Sequence, residues 1–285
     1  MMKNWFSKKT VKDKNQQLES AHIYPNNKGL KDVLDYIEHD QSIKEKQLNQ
    51  ILNYAEDLIK LSASEECEEA ETQPIFSYIK IFTDYIQTKN VIHILSNSEF
   101  IPIGSGSISL RDSYHHTIND IFMDLLGDGE HHLKKFKKRY TVQNGKHPIV
   151  TEIWNPDRIT NNIATIGKGI KFSKRDNNTF EHYDFNHRGT YIYPLGIVHV
   201  DNGNHSINAG MLKNDGHFYI DDIIDISRKY DQYYFDGTYL VDVNNNKKRF
   251  IFFELGVIYE IGRLLLRDNK PFSDEIKNTI KEKEY

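Results

Sequence analysis

The sequence predicts an α+β protein, with a helical N-terminal part packed on a small mixed α/β domain. Three observations carry this. Up to residue 140 the apolar residues recur mostly at helical spacing, as in Leu48, Ile51, Leu52, Ala55, Leu58 and Ile59. From Pro148 the texture changes to short apolar runs separated by Gly, Pro, Asn and Asp. Between Gly196 and Met211 the chain reads as a strand, a tight turn and a helix start. Ile197 to Val200 form the strand, and Asp201-Asn202-Gly203-Asn204 are residues that tolerate φ > 0. Ile207 and Met211 then lie four apart on a helix that begins near His205 or Ser206. The expected organisation is a flexible basic arm (1–27), a helical part (28–140), the α/β domain (145–267) and a charged tail (268–285).

Taken in order, residues 1–27 are polar and basic, with Trp5-Phe6 as the only apolar patch. Leu30, Val33, Leu34 and Ile37 predict a helix over 29–39, and the Leu48–Ile59 set a second over 43–62. Glu65 to Glu71 form an acidic stretch with no apolar stripe, which reads as a solvated helix end or linker. Pro74 suits the first turn of a third helix, faced by Phe76, Ile79, Phe82 and Ile86. Val91 to Leu95 is a strand or that helix's last contact. Gly104-Ser105-Gly106-Ser107 lies in a loop. Asp112 or Ser113 caps a helix bearing Ile118, Ile121, Phe122 and Leu125. A shorter helix after Gly129 then holds His131, His132, Lys134, Lys135, Lys137, Lys138 and Arg139, the most basic segment of the chain.

In the second half, 149–154 reads as a strand. Asn155 caps a helix with Pro156 at its first position, Ile159, Ile163 and Ile166 on its buried face, and Gly167 at its end. Residues 171–186 are polar, a loop or irregular hairpin. Strands over 190–193 and 195–200 flank Pro194. Asn214-Asp215-Gly216 turns the chain into a strand at 218–220. A hairpin follows at 233–235 and 239–243, then a strand at 249–253. Leu255, Ile258, Tyr259, Gly262, Leu265 and Leu266 make a last amphipathic helix, and the tail beyond Asp268 is expected to fray.

Composition narrows the function classes. The net charge of −4 over 285 residues gives no broad attraction to nucleic acid or membrane, although a local basic surface stays open. Cys67 is the sole cysteine, which excludes an internal disulfide and a Cys-based zinc cluster and suits a cytoplasmic protein. No apolar run reaches the roughly 18 residues of a membrane span, and residues 1–20 lack the apolar core of a signal peptide.

The turn at 202–206 is the main candidate site. A tight turn feeding a helix aims free backbone N–H groups and the positive end of the helix dipole at one point, which suits an anion. His205 is the candidate donor or general acid there, and Asn204 a candidate phosphate donor. A second constellation, His182, Asp184, His187 and His205, has the ligand types of a divalent metal, at a spacing that fits no defined motif. The plainer reading of His182–His187 is a polar loop with one buried, hydrogen-bonded histidine.

The helix at 156–166 ending in Gly167, two strands, the Asn202-Gly203-Asn204-His205 turn, a helix and a strand together resemble the ParB/sulfiredoxin-like fold, over residues 148–225. In that superfamily an Asp-Gly-x-His-Arg type turn binds nucleotide phosphates. Gly203 matches its glycine and His205 its histidine, while Asn202 takes the place of the acid unless Asp201 serves. Ser206 stands where that turn has arginine, and a serine hydroxyl cannot replace a bidentate guanidinium. Arg158 or Arg188 would then supply the charge from elsewhere in the chain. Trp154-Asn-Pro-Asp-Arg158, Asn186-His187 and Gly203-Asn-His-Ser-Ile207 are also similar to a bacterial family of unassigned activity.

The resemblance implies a protein binding a nucleotide or nucleic-acid phosphate through Gly203, Asn204, His205, Ser206, Arg158 and Arg188, with Asn186, His187 and Trp154 facing the turn. It implies a nucleotide, with or without a divalent metal, as cofactor or substrate, and a nuclease or NTPase of a bacterial defence or mobile-element system as the enzymatic form. Two alternatives stay open: a metal-dependent hydrolase using the His/Asp set, and a non-catalytic module whose N-terminal helices bind a protein partner.

Overall fold

The computed structural model describes residues 27–62, 73–96, 134–244, 248–250 and 252–282, with side chains except over 27–40 and 248–250. The N-terminal arm, the acidic stretch, the 104–107 loop, the helix expected around 118–125 and His131-His132 lie outside the described residues. The chain forms two compact units, residues 1–44 and residues 45–285, and the packing and the sites described below belong to the second.

The fold is α+β. The first helix, α1 (Asn27–Ser62), is continuous where the sequence suggested two helices. The three residues between the expected helices, Asp40-Gln41-Ser42, include neither Gly nor Pro to stop it. Within 45–62 it buries Leu48, Ala55 and Ile59. The second helix, α2 (Pro74–Ser96), runs through Val91–Leu95, which settles that stretch as helix. Beside Ile75, Phe76, Ile79 and Ile86 it also buries Thr83, Gln87 and Asn90.

The largest correction concerns the basic segment. Lys134–Gln143 is a strand, β1, and not a helix. Phe136, Tyr140 and Val142 alternate inward while Lys135, Lys137, Lys138 and Arg139 stay in water. The period is two, with a register shift between Lys137 and Tyr140. Lysine on a sheet edge also discourages pairing with other chains.

Among the described residues five strands form the main sheet: β1, β2 (Ile149–Val150), β3 (Arg188–Tyr193), β4 (Ile197–Asn202) and β5 (His217–Asp225), in the order β1-β5-β3-β4-β2. β1 runs antiparallel to β5 and β3 antiparallel to β4, while β3–β5 and β2–β4 are parallel. A 3-stranded sheet joins β6 (Tyr233–Phe235), β7 (Tyr239–Asp242) and β8 (Lys248–Phe250). Helix α3 (Pro156–Thr165) packs on α4 (Asn204–Leu212), and α2 packs on β2, α3 and α5 (Phe253–Arg267). Lys213 ends α3 by donating to the carbonyls of Ile163 and Ile166, and Gly167 follows at φ 141°.

Within the charged tail, 274–281 is helical where fraying was expected. Ser273 caps a sixth helix, α6 (Asp274–Lys281), through the Ile276 N–H. Ile276 and Phe272 are buried, the Phe272 ring lying 5.5 Å from Phe76 and 4.9 Å from Tyr193. The sequence hides this helix because only Phe272, Ile276 and Ile280 stand among its charges. Among the described residues no helix is long and apolar enough to cross a membrane. Phe272→Ala should lower stability by about 3–5 kcal/mol, the usual cost of emptying a buried phenylalanine site. Urea denaturation of the two proteins measures this, and a change within about 0.5 kcal/mol, the surface range, would mean the tail is undocked.

Candidate functional site

The 202–206 turn is where the expected residues meet. Gly203 has φ 84°, the left-handed region that favours glycine, and is the N-cap of α4. A Cβ on it would stand 2.6 Å from the His187 ring and 2.9 Å from the Asn186 carbonyl oxygen. Asn186-His187 thus closes one side of the turn. Gly203 provides no side-chain cap to the first turn of α4.

His187 is buried and fixed in one tautomer. Its Nδ1 accepts from the Tyr183 N–H at 3.0 Å, so Nε2 carries the proton and donates to Ser206 Oγ at 2.9 Å. Ser206 in turn donates to the Gly203 carbonyl at 3.0 Å. Burial and then the charge of His182 push the His187 pKa down to about 4. A histidine that donates to a serine cannot also take that serine's proton, so this pair is a brace for the turn rather than an activated nucleophile.

The other side of the turn holds the segment after β2. Asn204 Oδ1 accepts from the Glu152 N–H at 2.8 Å, and His205 Nε2 accepts from the Asn155 N–H at 3.2 Å. These bonds explain why the strand expected over 149–154 stops at Val150: side chains of α4 take the N–H groups a further ladder would use. Asn155 caps α3 through the Arg158 N–H at 2.9 Å. Trp154 meets the His205 ring edge-on at 5.0 Å, and the exposed Arg158 guanidinium lies 4.7 Å over Trp154. Arg188, also exposed, pairs in register with Asn202. Both candidate arginines therefore flank the turn. The first turns of α3 and α4 are tied together at their positive ends.

His182 and Asp184 stand apart from it. His182 Nδ1 accepts from the Tyr219 N–H at 3.4 Å, and its Nε2 pairs with Asp184 at 2.7 Å. Its ring is 5.8 Å from His187, whose two nitrogens are already engaged. The metal-ligand set of His182, Asp184, His187 and His205 does not assemble. Among the described residues no group of three or more His, Cys, Asp or Glu side chains could hold a metal ion.

A family model described as a family of unknown function (DUF6710) matches residues 34–272. The chain belongs to DUF6710. No curated protein and no solved structure matches it.

This DUF6710 protein has a charged group that the spacing of its residues does not announce. His199 on β4 is flanked by Glu152, 3.4 Å from Nε2, and Asp201, 3.3 Å from Nδ1, and Thr190 donates to Asp201 at 3.0 Å. Burial alone would lower its pKa, but the hydrogen bonds to Asp201 and Glu152 outweigh it and push the imidazole up to about 9. The spacing His199-x-Asp201 along one strand face was the available signal. Glu152, about fifty residues away, was not visible from it.

A buried polar cluster supports the same corner. Gln87 Nε2 donates to the Ile149 carbonyl at 2.7 Å, Thr151 donates to Gln87 Oε1 at 2.8 Å, and Asn208 Nδ2 donates to Thr151 at 2.9 Å. Thus α2, the segment after β2 and α4 are held together by polar side chains that the apolar pattern of α2 does not reveal.

His205→Ala should cost up to about 1–3 kcal/mol, because the half-buried Asn155 N–H loses its acceptor, read by urea denaturation; no loss would show that His205 does not hold Asn155. For His199 the sign of the pH effect is fixed. Its folded pKa lies above the ordinary 6.5, so its stabilisation is complete below that pH and is lost as pH rises through about 9. The stability gap between the parent protein and His199→Gln should shrink from about pH 6 to about pH 9.5. A gap constant over this range would show that the carboxylates do not hold a charged imidazole.

Proposed function

We propose that the segments 152–158 and 202–206 bind the phosphate of a nucleotide or nucleic acid. The observation that carries this is the convergence of two helix N-termini, one without a side-chain cap, between two exposed arginines. Backbone N–H groups of Gly203, Asn204 and Ser206 would donate to the phosphate, and Arg158 and Arg188 would supply the counter-charge that Ser206 cannot. His205 would act as a positioning residue, because its Nε2 is held by Asn155. The resemblance of the Gly203–His205 turn to phosphate-binding turns of the ParB/sulfiredoxin-like kind supports the same reading. By that resemblance, turnover would be nuclease or NTPase chemistry in a bacterial defence or mobile-element setting. A lone cysteine suits a cytoplasmic location for it.

Titration calorimetry with nucleoside mono-, di- and triphosphates tests this on the full chain. A charge-assisted hydrogen bond contributes about 1.5–3 kcal/mol, so Arg158→Ala and Arg188→Ala should each weaken binding roughly 10- to 150-fold. Both side chains are exposed, so the melting temperature should stay unchanged. Absence of binding by the parent protein to every nucleotide and to a single-stranded oligonucleotide, or parental affinity in both variants, would overturn the proposal.

A further inference from the structure

Two aromatic side chains stand out from the loop that seats on the turn. Phe185 is 82% exposed and Tyr183 59%, with their rings 5.8 Å apart at 58°. Single exposed apolar residues are common on protein surfaces. This pair differs because its backbone is tightly held. The N–H groups of Asn186 and His187 both donate to the Tyr183 carbonyl, at 2.9 and 2.8 Å. The Tyr183 N–H donates to His187 Nδ1, and the Phe180 N–H donates to Asp215 at 2.9 Å. The His187 ring stacks on Phe180 at 4.8 Å. A rigid loop thus presents two rings to water with no packing return.

Their neighbours say what would cover them. Phe185 precedes Asn186, whose carbonyl faces Gly203, and lies three residues before Arg188, the partner of Asn202. The platform therefore adjoins the turn. The surrounding segment, 168–188, carries five Lys or Arg against three Asp or Glu, in a chain of net charge −4. Phe172, 48% exposed, adds a further ring among those basic residues. Aromatic faces interleaved with positive charge beside a phosphate site are the chemistry that holds a base and its phosphate together.

We propose that Phe185 and Tyr183 stack the nucleobase of a ligand whose phosphate lies at the 203–206 turn. The ligand class is a nucleobase-bearing phosphate, either a free nucleotide or a single strand of nucleic acid, and this rests on the phosphate reading above. Stacking tolerates any base, so the site discriminates little among bases. Duplex binds less well than single strand, because its bases are already stacked on one another.

The test uses the full chain, Phe185→Ala and Phe185→Trp. The probes are ribose 5-phosphate, the four nucleoside 5′-monophosphates, and a single-stranded oligothymidine beside its duplex. The parent protein should bind base-bearing probes more tightly than ribose 5-phosphate. Phe185→Ala should remove that advantage, roughly a 5- to 150-fold loss, at unchanged melting temperature, and Phe185→Trp should restore it. Tight binding of monophosphates identifies a nucleotide site, and binding of the strand alone identifies a nucleic-acid site. Equal affinity for ribose 5-phosphate and monophosphates, unaffected by Phe185→Ala, overturns the stacking platform and leaves the phosphate site standing. Base-dependent binding lost in Phe185→Ala but indifferent to Arg158→Ala and Arg188→Ala overturns the phosphate site and keeps the platform. Absence of binding to every probe overturns both.

Discussion

Two hydrogen bonds from the start of α4 hold the corner on which the rest of this protein's candidate chemistry depends. Asn204 takes the Glu152 N–H and His205 takes the Asn155 N–H. They stop β2 after two residues, set Asn155 where it can cap α3, and lay the first turns of two helices side by side. The Trp154 ring against His205 and the Arg158 guanidinium over Trp154 follow from that placement. Without these bonds the Glu152 and Asn155 N–H groups would lose these acceptors, and Arg158 would have no fixed relation to the turn.

The opposite side is built on the same logic of satisfied polar groups. His187 accepts from Tyr183 and donates to Ser206, and Ser206 closes on the Gly203 carbonyl. Gly203 has left-handed backbone and stands against Asn186-His187, so a larger residue would clash on both counts. The histidines that looked most chemical in the sequence are thus largely structural. The charged imidazole is His199, locked between Glu152 and Asp201. Arginine, the start of α4 and aromatic rings face water around the turn, beside the exposed carboxylates of Asp157, Asp184 and Asp201.

Much of this was legible in the sequence. Asn155-Pro156 announced a helix start, Gly167 its end and Asn214–Gly216 the approach to β5, because each needs a particular cap or backbone conformation that few residues provide. Of the expected turn Asp201–Asn204 only Gly203 is a turn residue, since β4 runs on through Asn202 and α4 starts at Asn204. The residues grouped around the turn, from Trp154 and Arg158 through Asn186–Arg188 to Ser206, do come together. The basic segment 134–139 misled because its lysines mask a period of two, carried only by Phe136, Tyr140 and Val142. The tail misled because α6 gains its order from docking on Phe76 and Tyr193 rather than from its own pattern.

The sequence by itself determined many local conformations: the Asn155 cap, the glycine turns and the apolar faces of α2 and α5, while of the expected face of α3 only Ile159 is buried. These depend on residues within a few positions of one another, so short-range sterics and hydrogen bonding suffice to read them. Only the tertiary structure decided which polar groups would be spent on holding the fold. His205 and Asn155, His199 and Glu152, and Gln87 and Thr151 are separated by about fifty to sixty residues. The hydrogen bond that removes His205 Nε2 from chemistry, like the ion pairs of His199, exists only once the sheet order has brought such pairs together.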